Sequence, residues 1–293
     1  MSFLPTTRRK FIRIAATVGV AGLAGESTLV EPNHPRIVRQ EIALRRWPAR
    51  LEGFSIALLS DFHYDPYFSV HPLRSSISLV NDLYPDMIVL TGDFVSEPFF
   101  GHDRAKAASA AEPCAQLLRQ MQAPYGLWAV LGNHDVVTDP DRVTNSLRSQ
   151  GIQVLINQSV PIERNGARFW LGGVDDALER AADLSATLHN IPSDEPIVLL
   201  AHEPDYADFV AHYPVDLQLS GHTHGGQVRV PFVRPLYLPP LGRKYVWGLY
   251  NIGELALYTN RGLGTVNVPV RMNCPPEITL LTLRRSAGGY RPR

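Results

Sequence analysis

The chain is poor in cysteine, carries no excess of either charge and contains no long hydrophobic run. Cysteine accounts for 2 of the 293 residues, which excludes a small fold held together by disulfides. Cys114 and Cys274 match no metal-binding spacing, and free buried thiols are favoured over a disulfide between them. Lys and Arg total 28, as do Asp and Glu, so nucleic acid is not an expected partner. Hydrophobic residues make up 45% of the chain, which excludes intrinsic disorder and predicts a large core.

The first 24 residues contain no carboxylate and are typical of an export signal. An apolar run over 14–24 would form a helix about 16 Å long, against a hydrocarbon core of about 30 Å. The preceding order Thr7-Arg8-Arg9-Lys10-Phe11 resembles a twin-arginine signal, which implies the export machinery for folded proteins as a partner. We expect the mature protein in the periplasm, in the cell wall or on the outer face of the cytoplasmic membrane. A retained anchor is the alternative to cleavage after Ala24.

The remaining sequence predicts an α/β fold. Short, wholly apolar runs are typical of strands buried on both faces, and they occur at 55–59, 87–90, 127–131, 197–200 and 215–219. Helical stretches are predicted at 71–84, 103–121, 140–150, 178–188 and 204–212, with Asp139 and Asp205 as N-caps. Further strands, at 227–232, 245–250, 254–259 and 277–283, are expected to complete a second sheet. We therefore predict a signal at 1–24, a linker and first strand at 25–50 and one main domain at 51–293.

Polar residues with metal-binding side chains follow each of the five apolar runs. They are Asp61, His63, Asp93, Asn133, His134, His202, His222 and His224. Ligands bind beyond the carboxyl ends of strands in open α/β sheets, so these side chains are expected to converge. Carboxylate, amide oxygen and imidazole suit Mn, Fe or Zn. Gly92, Gly132 and Gly221 each precede one of these residues and let the backbone turn sharply there. The pattern predicts a metal site.

The ordered motifs resemble the calcineurin-like metallophosphoesterase superfamily, from about residue 50 to the C-terminus. The motifs are Asp61-Phe62-His63, Gly92-Asp93, Gly132-Asn133-His134-Asp135, His202 and Gly221-His222-Thr223-His224. Gly225-Gly226-Gln227, Asn260-Arg261-Gly262-Leu263-Gly264 and Asn273-Cys274-Pro275-Pro276-Glu277 are similar to an exported bacterial subgroup. That subgroup includes cell-wall-associated phosphoesterases and UDP-diacylglucosamine pyrophosphohydrolases. The resemblance implies a two-sheet β-sandwich flanked by helices, in four layers (α/β-β/α), with two divalent metals at the strand ends.

The resemblance also implies a role for each site residue. Asp61, His63 and His224 hold the first metal, Asn133, His202 and His222 hold the second, and Asp93 bridges both. His134 acts as a general acid or stabilises the transition state while a hydroxide between the metals attacks phosphorus directly. Asp135 could orient His134, although a helix cap or a solvated turn is favoured.

Other residues have two interpretations each. Arg261 and Arg271 could bind a second phosphate, or they could pair with carboxylates. Asp175 and Asp176 could face the substrate or cap a helix. The aromatic residues that follow two metal-bearing turns could line an apolar wall or pack in the core: Tyr64, Phe68, Phe99 and Phe100. His102, His189 and His212 are interpreted as ordinary surface residues.

Three functions remain open at this stage. The first is an exported hydrolase of phosphodiesters or pyrophosphates, acting on a small-molecule, nucleotide-linked or lipid-linked envelope substrate. The second is a phosphomonoesterase, which would use the same two metals. The third is an envelope-binding module that keeps the metals for structure only. Residence at the membrane surface, through the N-terminal segment or an apolar lip, is a further hypothesis.

Overall fold

The computed structural model describes residues 8–97, 103–179 and 182–286, apart from the side chains of Arg8 and Arg9. The helices are α1 Arg8–Gly25, α2 Val70–Asn81, α3 Arg104–Ala108, α4 Ala111–Leu118, α5 Asn133–Thr138, α6 Pro140–Ser149, α7 Leu184–Leu188 and α8 Ala207–Val210. The strands are β1 Arg36–Leu44, β2 Phe54–Leu59, β3 Met87–Thr91, β4 Leu127–Val130, β5 Gln153–Val154, β6 Gln158–Arg164, β7 Ala167–Gly173, β8 Ile197–Leu200, β9 Leu217–Ser220, β10 Gly248–Ile252, β11 Leu255–Thr259 and β12 Glu277–Arg285.

The strands form two mixed six-stranded sheets that pack face to face. Their orders are β1-β12-β2-β3-β4-β5 and β10-β11-β9-β8-β7-β6. In β2, Ile56 and Leu58 point into the core between the sheets, whereas Ala57 and Leu59 point into a second core beneath the helices. Because central strands such as β3, β4 and β8 are buried throughout, their sequences are apolar rather than alternating. The four-layer α/β-β/α sandwich is thereby confirmed.

Several helices depart from their predicted bounds. The 103–121 stretch is two helices, α3 and α4, and among the described residues of 178–188 the helix α7 begins only at Leu184, where the Asp183 carboxylate caps the N–H of Ala186. Asp139 caps α6 as predicted. The N-cap prediction for Asp205 is wrong, because its carboxylate accepts the backbone N–H groups of Arg243, Lys244 and Tyr245 instead. It thus ties a distant loop to the fold.

The C-terminal strands divide between the two sheets, which corrects the expectation that they complete the second. β10 and β11 extend the second sheet, but β12 lies in the first, between β1 and β2. The stretch 227–232 forms no strand and makes a single bridge, from Val228 to Met272. The β6–β7 hairpin was missed, although its Asn165-Gly166 turn, with φ of 56° and 70°, carries the sequence signal for a type I′ turn.

Two findings bear on expectations about membranes and redox chemistry. Within residues 8–97, 103–179 and 182–286, no helix combines the length and apolarity that crossing a bilayer requires. Cys114 and Cys274 are both free and buried, as predicted.

Candidate metal centre

The site forms where the carboxyl ends of two groups of parallel strands meet. β2, β3 and β4 run parallel in one sheet, and β8 and β9 run parallel in the other. The turn after β2 reaches across to the turn after β9, because both Asp61 carboxylate oxygens accept the backbone N–H of His222 at 3.0 Å. The convergence expected from the sequence therefore comes from two facing sheet edges.

The ligand-bearing turns adopt backbone conformations that few residues tolerate. Asp61, His63, Asp93, His222 and His224 all have positive φ, between 41° and 70°. Such conformations cost about 1–3 kcal/mol each and persist only where surrounding contacts impose them. Their concentration at one edge is typical of a functional site.

Two of the predicted glycines are required by close packing. A Cβ at Gly132 would lie 2.3 Å from Asp93 Oδ1, and a Cβ at Gly221 would lie 1.8 Å from Ser60 Oγ. Gly92 has φ of 93°, outside the range of ordinary side chains. Each glycine therefore lets a ligand-bearing turn approach its neighbour.

The predicted ligands fall into two groups joined by one carboxylate. Ligand atoms of Asp61, His63 and His224 lie within 4.8 Å of one another, as do those of Asp93, His202 and His222. Asp93 Oδ2 lies 3.5 Å from His63 Nε2 and 3.2 Å from His202 Nε2, between the two groups. The family resemblance implies a bridging role for Asp93, and that role stays a prediction.

Buried polar atoms at this site either lack a partner or face another potential ligand. Asn133 Oδ1 has no hydrogen-bond partner among the described residues, and His202 Nε2 faces the Asp93 carboxylate, 3.2 Å away. His63 Nε2 and His224 Nε2 face each other at 3.0 Å, an arrangement that suits two lone pairs directed at a cation. An amide oxygen, imidazole nitrogens and carboxylates form a donor set for Mn, Fe or Zn, so these residues fit divalent metal ions.

Backbone carbonyls fix the tautomers of two imidazoles. His202 Nδ1 donates to the carbonyl of Thr91 at 2.5 Å, which leaves Nε2 free to coordinate. His222 Nε2 donates to the carbonyl of Pro240 at 2.8 Å, which leaves Nδ1 free. The sequence analysis did not identify these two partners, since every residue has a backbone carbonyl and no residue type indicates which carbonyl will accept a hydrogen bond.

Burial keeps two of the imidazoles neutral, which is their metal-binding form. It lowers the pKa of His63 to about 3, with the nearby Asp93 carboxylate opposing the shift. It also lowers the pKa of His222 to about 4, assisted by His202. Burial raises the pKa of Asp61 to about 6, a shift that a bound cation would oppose.

His134 sits beside the ligands with its ring orientation set by the backbone. Its Nδ1 accepts the N–H of Glu97 at 2.9 Å, so the proton of the neutral ring lies on Nε2. One ring nitrogen lies within 4.8 Å of ligand atoms of His63 and Asp93. The backbone N–H of His134 donates to Asp93 Oδ1 at 3.0 Å. The ring can therefore present an N–H donor next to the ligands.

Asp135 acts as a cap, which was its favoured interpretation. Its buried carboxylate accepts the N–H groups of Phe94, Val95 and Gly132, tying the turn after β3 to the start of α5. Burial, followed by the charge of Asp93, raises the pKa of Asp135 to about 8. Since the side chain is buried, the solvated-turn alternative is wrong.

The two arginines lie behind the ligands rather than in the open part of the site. Arg261 pairs with Glu277 through its Nε. Arg271 is fully buried, donates to the carbonyls of Gly264 and Cys274, and lies 3.5 Å from His224 Nδ1. Neither residue lines the cavity over the metal centre. Their role in phosphate binding stays a prediction.

A cavity of about 520 Å³ opens over the metal centre, and Tyr64 and Phe68, two of the aromatic residues predicted for its apolar wall, do not line it. Among the described residues, its apolar lining consists of Leu178, Val228, Leu236, Tyr237, Pro239, Pro240, Val266 and Val268. Tyr64 packs against the core beneath the helices, and Phe68 lies at a separate small cleft. Phe99, Phe100 and His102 lie outside the described residues.

Asp175 and Asp176, for which the sequence left a substrate-facing role open, have local structural roles instead. The Asp176 carboxylate accepts the N–H of Glu179, and the Asp175 carboxylate accepts the N–H of Asp176. Both aspartates are buried and neither lines the cavity. His189 and His212 are exposed, as expected.

Comparison with known proteins shows which family the chain belongs to. The profile of calcineurin-like phosphoesterases matches residues 54–226. The chain belongs to this family. It is 35% identical over 287 residues to the uncharacterized metallophosphoesterase YkuE of Bacillus subtilis, covering 95% of this chain and 98% of that one. It is 33% identical over 282 residues to phosphodiesterase YaeI of Escherichia coli, covering 94% and 99%.

Among solved structures, the chain is similar to TT1561 of Thermus thermophilus, with a TM-score of 0.47 and 16% identity, covering 72% and 90%. Family membership confirms the resemblance drawn from the motifs. This calcineurin-like phosphoesterase is a metal-dependent phosphoric ester hydrolase.

Proposed function

We propose that this protein is an exported di-metal hydrolase of phosphodiester or pyrophosphate bonds, acting on a nucleotide-linked or lipid-linked envelope substrate. The observation that carries the proposal is the Asp93 carboxylate, whose Oδ2 lies 3.5 Å from His63 Nε2 in one ligand group and 3.2 Å from His202 Nε2 in the other, with the buried Asn133 Oδ1 left unpartnered among the described residues. One cation would bind Asp61, His63 and His224, and the other Asn133, His202 and His222. When bound, the metals supply Lewis-acid activation of water and of the phosphoester.

The protein's own groups position and neutralise the substrate around that chemistry. The Nε2–H of His134 points away from the Glu97 amide and is available to an oxygen of the phosphoester, where it stabilises the charge that develops on bond cleavage. The apolar wall has room for a second ester substituent beside the phosphate. This space favours a diester or pyrophosphate over a monoester, which offers only one substituent.

Turnover of two soluble esters tests the class of substrate. Protein reconstituted with Mn, Fe or Zn should cleave bis-nitrophenyl phosphate at least as fast as mono-nitrophenyl phosphate, and chelator treatment should remove both activities. Elemental analysis should give two metals per chain. A strong preference for the monoester would favour the phosphomonoesterase alternative. Metal binding without turnover of either ester would favour the binding module.

Export is proposed from the N-terminal segment. Residues 10–24 of α1 are all exposed, so that cleavage after Ala24 would remove no part of the core. N-terminal sequencing of the protein from a host with twin-arginine export should begin at Gly25, and replacing Arg8 and Arg9 with lysine should block export. A protein that reaches the envelope with residues 1–24 intact would indicate a retained anchor instead.

A further inference from the structure

A protruding apolar loop forms one rim of the metal cavity. We call this loop, residues 228–241, the lip. Its large apolar side chains stand in solvent: Phe232 is 109% exposed, Leu236 74%, Tyr237 66% and Val233 52%. Val268, on the neighbouring segment of the cavity wall, is 51% exposed. Grouped exposure of this kind marks a surface that contacts another apolar phase.

The backbone at the tip of the lip holds the ring of Phe232 outward in a strained conformation that costs free energy. The N–H of Val233 donates to the carbonyl of Val230 at 3.1 Å and closes a turn with Pro231 and Phe232 at its corners. Phe232 has φ of 66°, and the residue after proline in a type II turn has this sign of φ and is normally glycine. A bulky residue there is strained, and the fully exposed ring gains no burial within the described chain that would offset the strain.

The apolar surface of the lip continues into the cavity. Leu236 and Tyr237 are exposed on the outside of the lip and also line the cavity above the metal ligands. The end of the lip is attached to the site, since the carbonyl of Pro240 accepts from Nε2 of His222. A phase that covers the tip would therefore lie directly beside the opening of the cavity.

The charge around the lip favours an anionic partner. No Asp or Glu occurs between Asp216 and Glu254, while this stretch holds four basic residues: Arg229, Arg234, Arg243 and Lys244. Lys244 pairs with Asp208, and Arg229 lies over the Trp247 ring at 3.6 Å. The exposed side chains of Arg234 and Arg243 make no ion pair within the described chain. Exposed apolar tips flanked by cations are typical of surfaces that enter the interface of an anionic bilayer.

From these observations we infer that the lip inserts into the interfacial layer of an anionic phospholipid bilayer. The cavity then faces the plane of the lipid headgroups, and lipid-linked phosphoesters become its substrates. Docking rests on the lip alone, whereas this catalytic consequence also rests on the function proposed above.

A fluorescent label on the lip tests docking in the full chain. Since both native cysteines are buried, a thiol introduced as Val233→Cys can be labelled selectively with an environment-sensitive nitrobenzoxadiazole group. Its emission should brighten and shift to shorter wavelength on vesicles of phosphatidylcholine and phosphatidylglycerol, and less so on phosphatidylcholine alone. The matched control is Tyr84→Cys, at an 85% exposed position just before β3, at the opposite sheet edge, where no shift is expected.

The label separates the lip from α1, whose exposed apolar residues could bind vesicles independently. Adding Phe232→Ser to the labelled protein should weaken the response to vesicles about tenfold or more, because losing even about 1.4 kcal/mol of phenylalanine burial is a tenfold change in the binding constant. A Val233 label that stays unchanged while the protein binds vesicles overturns the inference. A shift that follows protein concentration without vesicles also overturns it, since a second copy would then cover the lip.

Activity measurements test the catalytic consequence separately. Phe232→Ser should lower hydrolysis of a phosphodiester lipid in mixed vesicles about tenfold, by the same loss of burial, and leave bis-nitrophenyl phosphate turnover unchanged. Tyr84→Ser should change neither rate. Equal rates for Phe232→Ser and the parent on vesicles would contradict the role of the lip in catalysis. If the parent hydrolyses neither substrate, the proposed function fails, while the label still decides docking.

Discussion

Replacing Asp93 with alanine is expected to remove both catalysis and tightly bound metal. Its Oδ2 lies within 3.5 Å of His63 Nε2 and His202 Nε2, so the change takes a ligand from both groups at once. Its Oδ1 also accepts the backbone N–H of His134, so the ring of His134 loses an anchor. Because the metals supply several kcal/mol of transition-state stabilisation, kcat should fall by about 10³-fold or more.

The measurement is kcat with bis-nitrophenyl phosphate, together with elemental analysis and a thermal melt. Asp93→Asn keeps the shape of the side chain and serves as the conservative variant, while Asp82→Ala, at an exposed position at the end of α2, serves as the matched control. Both variants of Asp93 should remain folded and should bind fewer than two metals. Parent-like turnover with a full metal complement would show that Asp93 does not bridge two ions.

Replacing His134 with alanine is expected to separate catalysis from metal binding. The ring contributes an N–H donor beside the ligands, and loss of one such donor typically lowers kcat by about 10²–10³-fold. Metal content should stay at the parent level, since His134 lies beside the two ligand groups rather than completing either. The loss should be greater for esters with poor leaving groups, because these depend more on stabilisation of the departing oxygen.

A pair of substrates with nitrophenol and alkyl leaving groups checks this expectation, with elemental analysis on the same samples. His189→Ala, at an exposed position in the turn after α7, is the matched control and should leave all values unchanged. If His134→Ala loses metal as readily as Asp93→Ala does, His134 is a ligand and not a donor to the substrate.

The convergence of the candidate ligands was predictable because its determinants are local. Each ligand-bearing turn follows a run that is apolar enough to be buried on both faces, and parallel strands present their carboxyl ends at one edge of a sheet. The spacing of His222 and His224, and the glycines beside Asp93 and Asn133, are likewise properties of a few consecutive residues. Short-range pattern and elementary geometry were sufficient to predict that these side chains converge, whereas their individual metal roles come from the family resemblance and stay predictions.

The surroundings of the ligands depend on contacts between residues far apart in the chain. The carbonyls of Thr91 and Pro240 that orient His202 and His222 come from other turns, and a carbonyl has no signature in sequence. The strand β12 has an apolar sequence that would fit either sheet, and only its pairing with β1 and β2 places it in the first. Packing between elements, not local propensity, decides such assignments.

Periodicity and motif order thus determined the fold class and the atoms available to metal ions, because both depend on side-chain direction along single elements. The folded chain alone decided which residues wall the cavity. Segments around Leu236 and Val268 reach it through loops that have no strand or helix period of their own. The same holds for Arg271, whose guanidinium is buried among backbone carbonyls that only folding brings together.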